Sequence, residues 1–286
     1  MSTHRFEDER FLRGTGRYVA DINLENQLYA KIVRSVHGHA NIINVDISEA
    51  LMIEGVCGVY IEEDLAKDGV GPLPCTTKFS AEQPLVLAER FALARKKVRH
   101  VGDPIALVIA ETEMAAQEGA ELVLVDYEAL PVVVNPVHAP LDGSPVIWST
   151  APDNIAYRFK KGEQKKTLVA FGQAAHIVDL DIENNRVMAL PIEPRAGIGE
   201  YDEQNDIMRL TCTAQGVHAI REQLAHSVFS LDEERIQISA PDVGGGFGLK
   251  NFLFPEWVLL LWASKKYKRA VKWVADRAED HSASLH

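Results

Sequence analysis

The residues Asp242-Val243-Gly244-Gly245-Gly246-Phe247-Gly248-Leu249-Lys250 carry the most chemical information in this chain. Four glycines surround one aromatic side chain, directly after the strand-like stretch 235–240. Without Cβ atoms such a backbone reaches positive φ and lies close to a bulky ligand. Its amide N–H groups are then free to face oxygen or sulfur atoms. Two readings fit the run alone: a cradle for a cofactor, or a tight turn. Phosphate loops fit poorly. A P-loop needs Ser or Thr after its lysine, and here Asn251 follows Lys250. A dinucleotide fingerprint needs G-x-G-x-x-G, whereas Gly244, Gly246 and Gly248 alternate.

Other side chains invite chemistry. Gln215, in Thr211–His218, offers an amide donor and acceptor where a strand gives way to a helix, although alone such a glutamine is more often a helix cap. Glu193 sits between Pro191 and Pro194, which fix the backbone around it. His37 and His39, at i and i+2, would share one face of a strand and suggest a metal site, although a structural role is the commoner outcome. His218 is expected to cap or pack its helix. Asp276 and Glu279, with Arg277 between them, suggest acid–base work or, more simply, surface or interface salt bridges.

The elements that must position these groups are mixed. Strands are expected at 28–33, 42–47, 56–61, 104–110, 122–127 and 130–134. A helix start is expected over 46–52, and Thr112 caps a helix whose Ala116 and Ala120 share a face. Pro136, Pro140, Pro145 and Pro152 mark a crossing segment between domains. Beyond it come a solvated basic loop (Lys160, Lys161, Lys165, Lys166), strands at 175–182 and 206–212, and an amphipathic helix over 218–229. A buried helix is expected over 256–266 and a strand over 270–274. The class is α+β. The expected domains are 1–135, a linker at 136–160, and 161–286.

Composition narrows the function. With 47% hydrophobic and 25% charged residues, the chain is ordinary globular protein. A net charge of −11 argues against nucleic acid and against anionic membrane surfaces. Cys57, Cys75 and Cys212 form no CxxC pair, so neither a disulfide framework nor an iron–sulfur or zinc site is expected in this chain. The acidic N-terminus lacks the apolar run of a signal peptide, and Trp257–Ala263 is too short to span a bilayer. A soluble cytoplasmic protein is the expectation.

Taken together, the motifs resemble the large, molybdenum-binding subunit of the molybdenum hydroxylases: xanthine dehydrogenase, aldehyde oxidase and aerobic carbon monoxide dehydrogenase. Arg5–Leu12 with Gly14–Asp21 looks like the family's opening. Arg34–Ala40 is similar to its next signature, departing from it near Val36 and Gly38. Val101–Ala106 and Val125–Val132 look like later strands of an α/β-hammerhead domain. Ile192–Arg195, Gln215 and Gly245–Gly248 look like the first part of a molybdopterin-binding α+β domain.

The resemblance implies a molybdenum–molybdopterin cofactor. It places Gln215 near the metal's apical oxygen ligand and the backbone of Phe247 and Gly248 against metal and pterin, with Gly246 beside them. Phe247 would either wall the substrate pocket as well or serve as a structural aromatic. By family position Glu193 is structural. The family's glutamate base, or the copper-bearing cysteine loop of carbon monoxide dehydrogenases, lies beyond His286, so no catalytic residue is assigned here. Asn251 stands where xanthine-oxidising members carry a substrate-binding glutamate. An aldehyde, an N-heterocycle or carbon monoxide is therefore expected ahead of a purine, with water as oxygen source. The implied partners are a C-terminal molybdopterin chain or region, an iron–sulfur subunit carrying 2Fe-2S clusters and an FAD subunit. The chain is read as a split or truncated subunit, inactive alone. A non-catalytic assembly module and an unrelated small enzyme using Glu193 and His218 are the alternatives.

Overall fold

A computed structural model describes residues 5–76, 85–185 and 187–284. Its main sheet has seven strands in the order β3-β5-β1-β10-β7-β8-β9. These are β1 (Leu28–Arg34), β3 (Val56–Tyr60), β5 (Pro104–Ala110), β7 (Ala196–Asp202), β8 (Ile207–Cys212), β9 (Ile236–Ser239) and β10 (Val271–Val274). A second sheet, β4-β2-β6, joins β2 (Ala40–Asp46), β4 (Lys97–Val98) and β6 (Leu124–Ala129). The helices are α1 (Asp8–Leu12), α2 (Glu62–Lys67), α3 (Glu113–Glu121), α4 (Gln164–Gln173), α5 (Val217–Gln223), α6 (Pro255–Tyr267) and α7 (Arg277–Ala283).

The all-apolar sequence of β5 reflects its place: every residue is buried, between β1 and β3. β10 joins the early and late parts of the chain. It runs parallel to β1 (Leu28 opposite Val271) and antiparallel to β7. The helix α6 packs on β7, β8 and β10. It starts with Pro255 at its first turn, where a missing N–H costs nothing, and ends at Lys268 in the left-handed region. Ten of its residues, Glu256 among them, are buried, so the helix is enclosed over about its first two and a half turns. β7 meets it with Gly197 and Gly199. A Cβ on Gly199 would lie 2.6 Å from the Leu260 carbonyl carbon and closer still to its oxygen, so helix and sheet backbones touch here.

The chain divides into two compact units. One comprises 1–74, 89–132 and 188–286, and the other 75–88 and 133–187. The expected linker, 136–160, belongs to the second unit, and the seven-stranded sheet draws on both expected domains.

Several local expectations need correction. Residues 130–134 form no strand: Leu130 donates one bond to the His39 carbonyl, and Pro131, lacking an N–H, stops the ladder. The stretch 175–182 is irregular and exposed, because no partner strand lies beside it among the described residues. Lys165 and Lys166 lie on α4 rather than in a loop. The helix expected over 218–229 is α5 followed by a π-helical turn, Leu224–Phe229. The expected helix start over 46–52 is a single 3-10 turn, Ala50–Met52. β7 was not anticipated, since two glycines dilute its strand signature.

Candidate functional site

The glycine run leaves β9 and crosses below two loops, one holding Glu193 and one holding Gln215. Each loop ties it down. Gly244 N–H donates to Glu193 Oε2 at 2.7 Å, and Glu193 N–H returns a bond to the Gly244 carbonyl at 3.2 Å. A Cβ on Gly244 would lie 2.5 Å from Glu193 Cβ, so only glycine fits this approach. At the other end Gly248 N–H donates to Gln215 Oε1 at 3.0 Å, while Gln215 N–H donates to the Lys250 carbonyl at 2.9 Å. Gly246 lies under the Gln215 side chain, where a Cβ would meet Oε1 at 2.5 Å.

Between these ties the N–H groups of Gly245, Gly246 and Phe247 have no partner among the described residues. Gln215 Oε1 is committed to Gly248, so its exposed NH2 group is the free donor. Phe247 takes a left-handed φ of 51° and is 78% exposed as a residue. A bulky residue held in that region, with its ring in solvent, is a costly arrangement that accompanies function more often than packing. Gly248, at φ +88°, has open space where its Cβ would be. The structure therefore brings Gln215, Gly246, Phe247 and Gly248 together as a shelf of amide donors beside one free carboxamide and one exposed ring.

Beneath the shelf lies charge that no local pattern announces. Lys250 is fully buried, and its ammonium donates to the Glu193 carbonyl (2.8 Å) and to Glu193 Oε2 (3.0 Å). Burial lowers the lysine's pKa, and Glu193 opposes that shift. Deeper, Arg195 Nε bonds Asp280 and its Nη1 bonds Glu256, both at 2.8 Å, with all three side chains fully buried. Glu256 also receives Arg34 at 2.7 Å. Burial alone would raise the Glu256 pKa, but Arg195 and Arg34 outweigh it and hold the carboxyl below its ordinary range. The Arg195 guanidinium stacks 4.1 Å from the Phe254 ring centroid.

The remaining candidates lie elsewhere. His37 and His39 are in the turn between β1 and β2, not on a strand face. His39 is buried against the Pro131 carbonyl (2.8 Å), and His37 packs on Tyr127. No cluster of three metal-ligating side chains occurs among the described residues. His218 is exposed near the start of α5. Asp276 caps α7, whereas Glu279 is buried and forms a salt bridge with Arg34. Arg277 donates to the carbonyls of Pro191 and Ile192 and steadies the Glu193 loop. Sequence reading missed the roles of Lys250 and Asp242. The sole signal was their position at the two ends of the run.

Comparison with known proteins decides the family. A family model for the molybdopterin cofactor-binding domain matches residues 147–286, and one for the aldehyde oxidase and xanthine dehydrogenase a/b hammerhead domain matches residues 13–131. This chain belongs to the molybdenum hydroxylase family. The nicotine 6-hydroxylase large subunit of Paenarthrobacter nicotinovorans is 37% identical over 285 residues, covering 99% of this chain and 34% of that protein. The carbon monoxide dehydrogenase large chain of Afipia carboxidovorans is 32% identical over 292 residues, covering 98% and 35%. The crystal structure of quinoline 2-oxidoreductase from Pseudomonas putida 86 superposes with a TM-score of 0.88 at 31% identity, covering 98% of this chain and 35% of that one. The chain thus spans about a third of the length of these relatives. The fold is α+β: a hammerhead domain and part of a molybdopterin-binding domain. No helix among the described residues is long and apolar enough to cross a membrane.

The residues present fit a molybdopterin-type group. Unpaired amides at Gly245–Phe247 suit an oxygen- and sulfur-rich ligand, and the bare face of Gly248 admits close approach.

Proposed function

We propose that this chain forms one wall of the molybdenum–molybdopterin site of a multi-subunit hydroxylase, with Gln215, Gly246, Phe247 and Gly248 facing the cofactor. The observation that carries the reading is the shelf itself: three unpaired amides, a carboxamide whose NH2 is left free, and an open Gly248. When bound, the molybdenum centre supplies the electron acceptance that couples substrate oxidation to water. The residues here bind and orient. Gln215 presents a donor toward an oxygen ligand, and Phe247 walls the space above the shelf. Glu193 is given no base role in this reading: its Oε2 is engaged by Gly244 and Lys250, and its Oε1 is buried away from the open space above the shelf. The general base belongs to the rest of the subunit, so the isolated chain does not turn over.

The substrate is taken to be a small N-heterocycle, with aldehydes and carbon monoxide as the other members of the class. Two of the relatives carry nicotine and quinoline in their names, and Asn251 supplies no carboxylate for a purine. The partners would be the remainder of the molybdopterin-binding subunit, an FAD subunit and a subunit with 2Fe-2S clusters, in the cytoplasm. We place the boundary between the two domains within 136–160, which overlaps the gap between the two family matches.

The test is co-expression with the remainder of the subunit and its partners, followed by metal and pterin analysis and dye-coupled oxidation of N-heterocycles, aldehydes and carbon monoxide. Molybdenum in the assembly, with turnover of one class, is expected. An assembly without molybdenum would overturn the reading in favour of an assembly module. Turnover by the lone, metal-free chain would overturn it equally.

A further inference from the structure

Both ties that hold the glycine shelf return to one residue. Gly244, at the front, is bonded to Glu193, and Glu193 is bonded twice by the Lys250 ammonium. Gly248, at the rear, is bonded to the Gln215 side chain, and Gln215 N–H is bonded to the Lys250 carbonyl. Lys250 is fully buried. Burying an ammonium costs several kcal/mol unless it is well paired, and a mere turn does not require one. Among the described residues Lys250 is the cation that contacts the Glu193 carboxylate, since neighbouring Arg195 turns its guanidinium to Glu256 and Asp280. Gly244 cannot slide to compensate for a change, with Glu193 Cβ already against its bare face.

We infer that Lys250 is a positioning residue: through Glu193 on one side and Gln215 on the other, it fixes the spacing between the amide shelf and the Gln215 carboxamide. The inference rests on the shelf facing the cofactor, but the anchoring itself can be tested without that assumption.

The variants are K250M, which keeps length and removes charge, E193Q, and the pair E193Q/K250M, all in the full assembled enzyme. Hydrogen exchange of the peptide spanning 244–248 is read first. K250M strands the Glu193 carboxylate, so exchange there should rise roughly tenfold or more, with α6 unchanged. E193Q keeps an acceptor for Gly244 and the carbonyl for Lys250 but takes the counter-charge from the buried ammonium, so exchange there should also rise, by less than in K250M. The double variant removes the stranded charge but not the loss of the anchor, so exchange at 244–248 should stay raised; return to wild-type protection would overturn the inference. Turnover per bound molybdenum is read second. Displacement of the shelf should lower kcat per molybdenum about tenfold with KM nearly unchanged, whereas simple loss of folded protein would leave that ratio intact. Unchanged exchange at 244–248 in K250M, an increase spread equally over α6, or an unaltered kcat per molybdenum would each overturn the inference. If the wild-type assembly holds no molybdenum, the proposed function fails, and the exchange readout alone decides whether Lys250 anchors the run.

Discussion

Replacing Gly246 with alanine should separate stability from site geometry. The new Cβ would lie 2.5 Å from Gln215 Oε1 and 2.6 Å from its Cγ, so the carboxamide must swing away. Gln215 is exposed and its side chain is free to move, so the overlap is relieved without disturbing the core. The move breaks the bond from Gly248 N–H, worth about 0.5–1.5 kcal/mol. Against that, Gly246 is not at positive φ, so alanine is tolerated there and removes unfolded-state entropy worth about 0.4–1 kcal/mol. The two nearly cancel, and Tm should shift by less than about 4 °C. The site should fare worse: losing a partner that orients a metal's surroundings typically costs about 10- to 100-fold in metal affinity. Urea unfolding and molybdenum retention, measured for G246A, Q215A and the double variant, form the assay. Because G246A acts through Gln215, the double variant should retain molybdenum no worse than Q215A. Destabilisation beyond about 2 kcal/mol, or retention losses that simply add, would refute the reasoning.

Other outcomes follow from the same contacts. G199A puts a methyl group into the Leu260 peptide on α6, where backbone cannot yield, and should cost about 3 kcal/mol in urea unfolding. Glu256→Ala leaves Arg195 and Arg34 short of a buried partner and should cost about 3–5 kcal/mol by the same measurement. Asp242 is held at about 2, from an ordinary 3.8, first by its hydrogen bond from Arg10 and then by the Arg17 N–H. A depressed carboxyl stabilises above its unfolded pKa and loses that contribution on protonation, so the tie to residues 10–17 should weaken as pH falls from about 4 to about 2. Pepsin cleavage within residues 5–18 should appear across that window, and D242N should show the same exposure to a neutral protease at pH 7. Thiol reagents should label exposed Cys75 in the native protein and spare Cys212, whose thiol burial pushes up to about 12.

What the sequence made legible was what repeats or punctuates. β5 is an unbroken apolar run and α6 carries one from Trp257 to Ala263; they open at Pro104 and Pro255, and both lie within a residue or so of expectation. The glycine run declared a close approach, and the structure names what approaches: Glu193 at Gly244, Gln215 at Gly246, and open space at Gly248. β7 was hidden because its glycines serve the α6 contact rather than the strand. The cluster of Arg34, Arg195, Glu256, Glu279 and Asp280 was hidden for another reason. Its members are spread along most of the chain, and no spacing rule brings them together. The alternating apolar residues of 175–182 misled because alternation earns a strand only where a neighbour accepts its hydrogen bonds.

The parallel register of β1 with β10 sets a timetable for biosynthesis. Residue 28 leaves the ribosome some 240 positions before its neighbour at 271. At translation speeds of about 5–20 residues per second, one edge of β1 waits more than ten seconds without its partner. Through that interval the nascent hammerhead carries an open strand edge, a place where chaperones would be expected to dwell and where a stalled chain would be most prone to stick to its neighbours.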